Sequence, residues 1–210
     1  MNSRRSHLRR AAVPCVALLA VMGIATACAQ DEAPKTLSGY ELTPAASVAD
    51  FSLPDASAGD ADFTFKAAPG HLLIVYFGYM GCPDVCPTTL AELKKALGLL
   101  GDDAAKIDVA MGTIDPGRDT GENLTKYVQS FIVGAHALRT DDQTLLEATT
   151  AAFGANYSVT TTPEGAIEVG HSASMYVVDA TGAIVLTWPY GIPAAALADD
   201  MSILLDRGAA

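Results

Sequence analysis

The sequence predicts an α/β domain with a central mixed sheet flanked by helices. Residues 72–78 form a continuous apolar run, which is typical of a strand buried on both faces. Strand-like and helix-like segments alternate after this run. Residues 173–178 and 183–187 flank an Asp-Ala-Thr-Gly turn, which indicates an antiparallel hairpin. Parallel strands followed by a hairpin require a sheet of mixed direction.

The first half of the domain contains three predicted strands and one helix. A short alternating strand covers residues 63–65, and the run at 72–78 is the central strand. After a turn from Gly78 to Pro87, leucines at helical spacing predict a helix that ends at Gly101: Leu90, Leu93, Leu97 and Leu100. Residues 107–113 form the next strand.

The second half begins with two predicted helices. Asp119 or Thr120 can cap the first, which runs to Phe131, and Asp141-Asp142 opens the second, which runs to Phe153. Residues 157–170 are predicted to be an irregular loop, because they contain proline and glycine.

After the hairpin, Pro193 begins a closing helix that continues to Leu205. This order of elements is that of the thioredoxin-like fold. Two cysteines, Cys82 and Cys86, lie where the central strand leads into a helix, which is where that fold places reactive thiols.

The N-terminus has the features of an export signal. Four arginines precede an uncharged apolar stretch from residue 11 to 27, so residues 1–27 are predicted to be a signal peptide. Seventeen residues interrupted by Pro14 are short for a membrane span, which remains the alternative. Ala25-Thr26-Ala27-Cys28 resembles a bacterial lipobox, which predicts lipidation of Cys28. The export route, general or twin-arginine, stays open.

Residues 28–48 are predicted to form a lipidated N-terminus and flexible tether, and residues 49–210 the folded domain. Removing residues 1–27 removes four arginines and no acids, so the formal charge changes from −11 to −15. So acidic a chain is not expected to bind nucleic acid. The predicted location is outside the cytoplasm, on a membrane, facing the periplasm or the cell exterior.

The two cysteines of the domain are four residues apart, so helical geometry brings their sulfurs to one face. Thiolates are favoured at a helix N-terminus and select Cu(I) among biological metals. An imidazole would complete a site for both copper oxidation states. His171 is the best candidate, because its loop faces the cysteine helix in thioredoxin-like folds.

Three ordered blocks of the sequence closely resemble the SCO/SenC family. The blocks are Tyr76-Phe77-Gly78-Tyr79 with Cys82-Pro83-Asp84-Val85-Cys86-Pro87-Thr88-Thr89-Leu90, then Thr113-Ile114-Asp115-Pro116 with Arg118-Asp119-Thr120, then His171-Ser172-Ala173 before Tyr176-Val177-Val178-Asp179. The resemblance covers residues 48–205 and implies a membrane-attached copper chaperone. Such a protein helps to assemble the dinuclear copper centre of cytochrome c oxidase subunit II.

The resemblance implies that Cys82, Cys86 and His171 bind one copper ion, Cu(I) or Cu(II), and it implies no catalytic residue. Asp115, Arg118 and Asp119 match a motif to which we assign a structural role rather than a ligand role. Two departures stand out: Met80-Gly81 replaces the family's usual threonine and histidine, and Gly170 replaces a frequent aspartate. Loss of that carboxylate would leave the His171 tautomer less firmly set.

The expected partners are subunit II, the membrane through the lipid anchor, and another periplasmic or extracytoplasmic copper carrier. The alternative function is a thiol–disulfide oxidoreductase that reduces the acceptor's metal-binding cysteines with Cys82 and Cys86. A peroxidase of the same fold is disfavoured, because its single reactive cysteine is a poor match to this pair.

Several residues near these motifs have two interpretations. Met80 is a loop or core residue or a further copper ligand, and Asp84 interacts with the helix N-terminus or faces the metal. His71 and His136 are expected in loops without a role. Residues 188–190 are either the edge of the core or a docking patch.

Overall fold

The computed structural model describes residues 36–208. Four α-helices lie in this part of the chain: α1 (Val85–Leu100), α2 (Gly121–Phe131), α3 (Gln143–Ala152) and α4 (Ala194–Asp206). The same part contains nine strands: β1 (Ser52–Asp55), β2 (Ala61–Thr64), β3 (Leu72–Gly78), β4 (Ile107–Thr113), β5 (His136–Leu138), β6 (Tyr157–Thr161), β7 (Ile167–His171), β8 (Met175–Val178) and β9 (Ile184–Trp188).

Seven strands form the central sheet in the order β2-β1-β5-β4-β3-β8-β9. The three inner strands β5, β4 and β3 are parallel, whereas β8 and β9 at one end and β1 and β2 at the other pair in antiparallel fashion. The predicted mixed sheet flanked by helices is therefore confirmed, and β3 and β4 have the predicted bounds.

The central strand β3 is buried along its whole length, and its side chains alternate between the two faces of the sheet. Phe77 packs edge-on against Phe153, which also contacts Tyr176 on β8. The neighbouring residue Tyr76 points to the opposite face, toward α1 and His171. The strand therefore places the Phe77 ring in the core on one face of the sheet and the Tyr76 ring on the other face, near the cysteines.

Three segments differ from their predicted structure. Residues 157–170 do not form an irregular loop, since β6 and β7 pair as a separate hairpin with Val159 opposite Val169. His136 begins the short strand β5 rather than lying in a loop. The predicted strand at 63–65 is displaced to Ala61–Thr64 and pairs with an unpredicted strand, β1.

Part of the predicted tether is packed on the domain. Tyr40 pairs with Thr187 across the β9 edge, and Val48 is fully buried. The buried carboxylate of Asp200 accepts hydrogen bonds from the amides of Ser38 and Gly39 and from Trp188 Nε1. Residues 38–40 and 46–48, which the sequence assigns to the flexible tether, therefore contact the edge of the sheet formed by β9.

The predicted signal peptide and Cys28 lie outside the described residues. Within residues 36–208, no helix is both long and apolar enough to cross a bilayer.

Asp55, at the end of β1, ties the edge of the sheet to β5. Its Oδ1 accepts hydrogen bonds from Ser57 N (2.9 Å), Ser57 Oγ (2.6 Å) and Ala137 N (3.1 Å), and its Oδ2 lies 2.6 Å from His136 Nδ1. Burial alone would raise the pKa of Asp55, but these hydrogen bonds outweigh it and lower the pKa below the ordinary value.

We expect Asp55→Asn to lower the free energy of unfolding at pH 7 by about 1–3 kcal/mol, because the ionised acceptor is lost. Because the folded-state pKa is lowered, this stabilisation is fully present above about pH 4 and is lost as the pH falls through the folded-state value. Urea unfolding from pH 7 to pH 2 should show the two proteins converging in acid. The exposed Asp62→Asn variant is the control, and a constant gap at all pH values would contradict this account.

Candidate metal centre

The two cysteines lie between the end of β3 and the first turn of α1. Cys82 precedes the helix and Cys86 is its second residue. The Cys82 sulfur accepts a hydrogen bond from the Cys86 amide at 3.3 Å, and so takes a place usually filled by a capping oxygen. The Asp84 carboxylate makes no capping bond to an amide and instead accepts from the Thr88 hydroxyl at 3.1 Å.

His171, the last residue of β7, completes a compact group with the cysteines. One ligand atom from each of the three residues lies within 4.8 Å of the other two. His171 Nε2 is 3.6 Å from Cys86 Sγ. Cys86 is fully buried, Cys82 is 9% exposed and His171 is partly exposed, so the group is reached from solvent on the side of Cys82 and His171.

The backbone sets the tautomer of His171. Its Nδ1 lies 3.0 Å from the carbonyl oxygen of Ser172, which can only accept a hydrogen bond. Nδ1 therefore carries the proton, and the lone pair of Nε2 faces the sulfurs, as a metal ligand requires. The Ser172 carbonyl thus fixes the His171 tautomer, which was expected to be less firmly set because Gly170 replaces a carboxylate.

The two thiols have opposite electrostatic environments. Burial raises the pKa of Cys86 to about 12. Burial also acts to raise the pKa of Cys82, but hydrogen bonds, above all from the Cys86 amide, outweigh it and lower the pKa. Cys82 is therefore the nucleophilic thiol, whereas Cys86 requires a cation, such as a metal ion, to lose its proton readily.

A small cleft of about 320 Å³ with mostly apolar walls lies beside Cys82 and His171. The residues lining it are Tyr79, Cys82, Pro83, Asp84, Val85, Val169, Gly170, His171 and Ala173. The rings of Tyr76 and Tyr79 meet the imidazole of His171 edge-on, with centroids 6.2 and 5.8 Å away. These contacts fix the ring plane and limit the access of water, which strengthens electrostatic interactions at the ligands.

Asp119 holds the loop that leads to Cys82. Its Oδ2 accepts hydrogen bonds from the Met80 amide at 3.0 Å and from the Thr113 hydroxyl at 2.6 Å. The Asp115 carboxylate instead forms an ion pair with Arg118. The acidic motif is therefore structural, with Asp119 as the member that positions the cysteine loop.

The structure brings Cys82, Cys86 and His171 together as the sequence predicts, whereas Cys28 lies outside the described residues. Neither Asp84 nor another acidic or histidine side chain of residues 36–208 joins the group. Of residues 188–190, Trp188 is buried in the core and Tyr190 is 47% exposed. Sequence reasoning missed the Ser172 carbonyl, whose contact with His171 depends on the local backbone conformation, and the rings of Tyr76 and Tyr79, whose contacts with His171 are tertiary.

Comparison with known proteins points to one family. The family model described as SCO1/SenC matches residues 41–206. Protein SCO2 from mitochondria of Saccharomyces cerevisiae is 30% identical over 127 residues, which cover 59% of this chain and 42% of the yeast protein. The chain matches about three fifths or less of the length of the first curated relatives.

Solved structures share the fold. The structure of Bradyrhizobium japonicum ScoI with copper bound is 28% identical, with a TM-score of 0.62, and the match covers 73% of this chain and 96% of that one. Apo Sco1 from Thermus thermophilus is 29% identical, with a TM-score of 0.66 and coverage of 83% and 98%. The predicted thioredoxin-like fold is confirmed by this likeness.

Proposed function

The chain belongs to the SCO1/SenC family, and we propose that it is a copper chaperone in which Cys82, Cys86 and His171 bind one copper ion. The observation that carries the proposal is the convergence of two sulfurs and one imidazole nitrogen within 4.8 Å. The copper-bound Bradyrhizobium relative supports the choice of metal.

The chemistry of the donors fits copper. Two thiolates favour the soft Cu(I) ion, and a neutral imidazole nitrogen suits both Cu(I) and Cu(II). Three protein ligands beside an open cleft leave room for an incoming ligand, so the metal can be released without unfolding the site. Such an arrangement suits transfer of copper as cargo better than permanent storage.

We propose that the acceptor is the dinuclear copper centre of cytochrome c oxidase subunit II. An acceptor thiolate enters the cleft beside Cys82 and His171, binds the copper ion, and displaces this chain's ligands in turn. No covalent bond forms between the proteins, and the oxidation state of copper does not change. Another extracytoplasmic copper carrier supplies the metal, and lipidated Cys28 holds the protein on the membrane, facing the periplasm or cell exterior.

Transfer can be tested by mixing the copper-loaded protein with the reduced apo copper domain of subunit II and measuring copper in each after chromatographic separation. We expect copper to move to the acceptor and this chain to be recovered with both thiols reduced. If copper stays on this chain under all acceptor ratios, the proposed delivery is wrong. A reduced acceptor is essential, because it makes thiol exchange unnecessary.

The opposite environments of the two thiols favour a second candidate function, thiol–disulfide exchange. The Cys82 thiolate would attack an acceptor disulfide, and Cys86 would then displace the acceptor and close a Cys82–Cys86 disulfide. The acceptor disulfide takes up two electrons and two protons and becomes two thiols. An oxidised, copper-free acceptor distinguishes the two functions. Thiol–disulfide exchange predicts that the wild-type chain and the His171→Ala variant both reduce the acceptor disulfide. Copper delivery does not require reduction of the acceptor by this chain.

Asp119→Ala should weaken copper binding without removing a ligand. The Met80 amide and Thr113 hydroxyl would lose their acceptor, and the loop that carries Cys82 would become less ordered. Loss of such supporting contacts typically lowers metal affinity about 10- to 100-fold. Competition with a Cu(I) chelator would measure the effect, with Asp141→Ala, an exposed acid paired with Arg139, as the control. Equal affinity in both variants would show that Asp119 does not position the site.

A further inference from the structure

The hydroxyl of Tyr76 is buried and lacks a hydrogen-bond partner of acceptable geometry among residues 36–208. The whole residue is inaccessible to solvent, so water does not satisfy the hydroxyl from outside. Proteins rarely bury a polar group without a use for it, because the lost hydration costs free energy. The copper-free arrangement of the site therefore leaves one donor unused.

This donor lies beside the buried ligand sulfur. A Cβ atom added to Gly78 would lie 2.7 Å from Tyr76 Cε1 and 3.0 Å from Cys86 Sγ, so the ring and the sulfur meet over the same glycine. Cys86 and Thr89 are the acceptors that face the hydroxyl. Thr89 already donates its proton to the carbonyl of Val85 at 2.8 Å.

With the proposed copper site as its basis, we propose that Tyr76 donates a hydrogen bond to the Cys86 thiolate when copper is bound, and thereby favours Cu(I) over Cu(II). A protonated thiol is a weak acceptor, whereas a thiolate accepts strongly. Metal binding removes the Cys86 proton and so creates the acceptor that the hydroxyl lacks. A small adjustment of a ring already against the sulfur completes the bond.

The expected consequence is a change in the balance between the copper oxidation states. A hydrogen bond to a cysteine sulfur withdraws electron density that the sulfur would donate to the metal, and this tunes the reduction potential of copper–thiolate sites. Cu(II) depends more on that donation than Cu(I), so the bond favours the reduced ion.

Tyr76→Phe removes the hydroxyl and keeps the ring. We expect the ratio of Cu(I) affinity to Cu(II) affinity, measured with chelators for each ion, to fall about three- to tenfold, which lowers the reduction potential by about 30–60 mV. The sulfur-to-Cu(II) charge-transfer band should move to longer wavelength. Tyr127→Phe is the matched control, because it also removes a buried hydroxyl without a hydrogen-bond partner. The two thiols act on that hydroxyl only through their charge, whereas Cys86 lies within hydrogen-bonding reach of the Tyr76 hydroxyl.

The thermal stability of the copper-free Tyr76→Phe protein should stay close to that of the wild type, because the deleted hydroxyl has no partner there. An unchanged affinity ratio and band position would overturn the inference. A large loss of copper-free stability, or an equal loss of affinity for both ions, would also overturn it by showing that the hydroxyl is structural. If the wild type binds no copper, the proposed function fails first and this inference fails with it.

Discussion

Replacing Cys82, Cys86 or His171 by alanine is expected to lower the affinity for copper by more than about 100-fold in each case. Each residue supplies one of three ligand atoms that lie within 4.8 Å of one another, and no other acidic, cysteine or histidine side chain among residues 36–208 is placed to substitute. Loss of an indirect support costs about 10- to 100-fold, so loss of a direct ligand should cost more.

The three variants should differ in detail. Cys86→Ala removes a fully buried sulfur, so it should also lower the stability of the copper-free protein by about 1 kcal/mol. His171→Ala removes a partly exposed side chain at the end of β7 and should leave that stability nearly unchanged. Chelator competition and urea unfolding on each variant would measure both quantities.

His71→Ala is the matched control for His171→Ala, because it removes a partly exposed imidazole from outside the group. It should bind copper as the wild type does. Retention of wild-type affinity by His171→Ala would remove the imidazole from the site, and the dithiol exchange function would then be favoured.

Asp200→Ala is expected to cause the largest loss of stability, about 3 kcal/mol or more. Asp200 is 1% exposed, and its carboxylate accepts hydrogen bonds from Ser38 N at 2.9 Å, Gly39 N at 3.1 Å and Trp188 Nε1 at 2.8 Å. Truncation would leave the fully buried indole N–H of Trp188 unsatisfied, which costs about 1–3 kcal/mol, and would also remove the hydrogen bonds that hold Ser38 and Gly39. The segment that contains Ser38 and Gly39 would then lose its hydrogen bonds to α4.

Thermal unfolding provides the measurement, since about 1 kcal/mol corresponds to roughly 2–4 °C in the midpoint for a domain of this size. The midpoint of Asp200→Ala should fall by at least about 6 °C. Asp199→Ala, at the neighbouring exposed position of the same helix, should change it little. Equal midpoints for the two variants would show that Asp200 does not anchor the segment.

The strongly patterned elements could be predicted because their sequences reflect their own burial. β3 is an unbroken apolar run and is buried at every position. The leucines of α1 recur at helical spacing, and Leu90 and Leu93 are fully buried. The three candidate ligands could be selected from motif chemistry, and the fold then determined that they converge.

The elements that were missed depend on partners distant in the sequence. β5 has only three residues and is stabilised by pairing with β4 and by the contact of His136 with Asp55, 81 positions earlier. The β6–β7 hairpin is mostly exposed, and its alternating apolar residues are few. Pro163 and Gly165, which lie between the two strands, make the whole segment look like a loop. Residues 38–48 have the composition of a linker. The acceptor that orders Ser38 and Gly39 is Asp200, which is distant in the sequence.

The copper content and ligand set of the reduced wild-type protein test the central claim most directly. Copper stoichiometry would be measured in the presence of a competing Cu(I) chelator, and X-ray absorption would identify the ligand atoms of the bound ion. We predict one copper ion per chain, bound by two sulfurs and one nitrogen, with the nitrogen signal absent in His171→Ala. A wild-type protein that retains no copper against the chelator, or whose copper lacks the nitrogen ligand, would contradict the account.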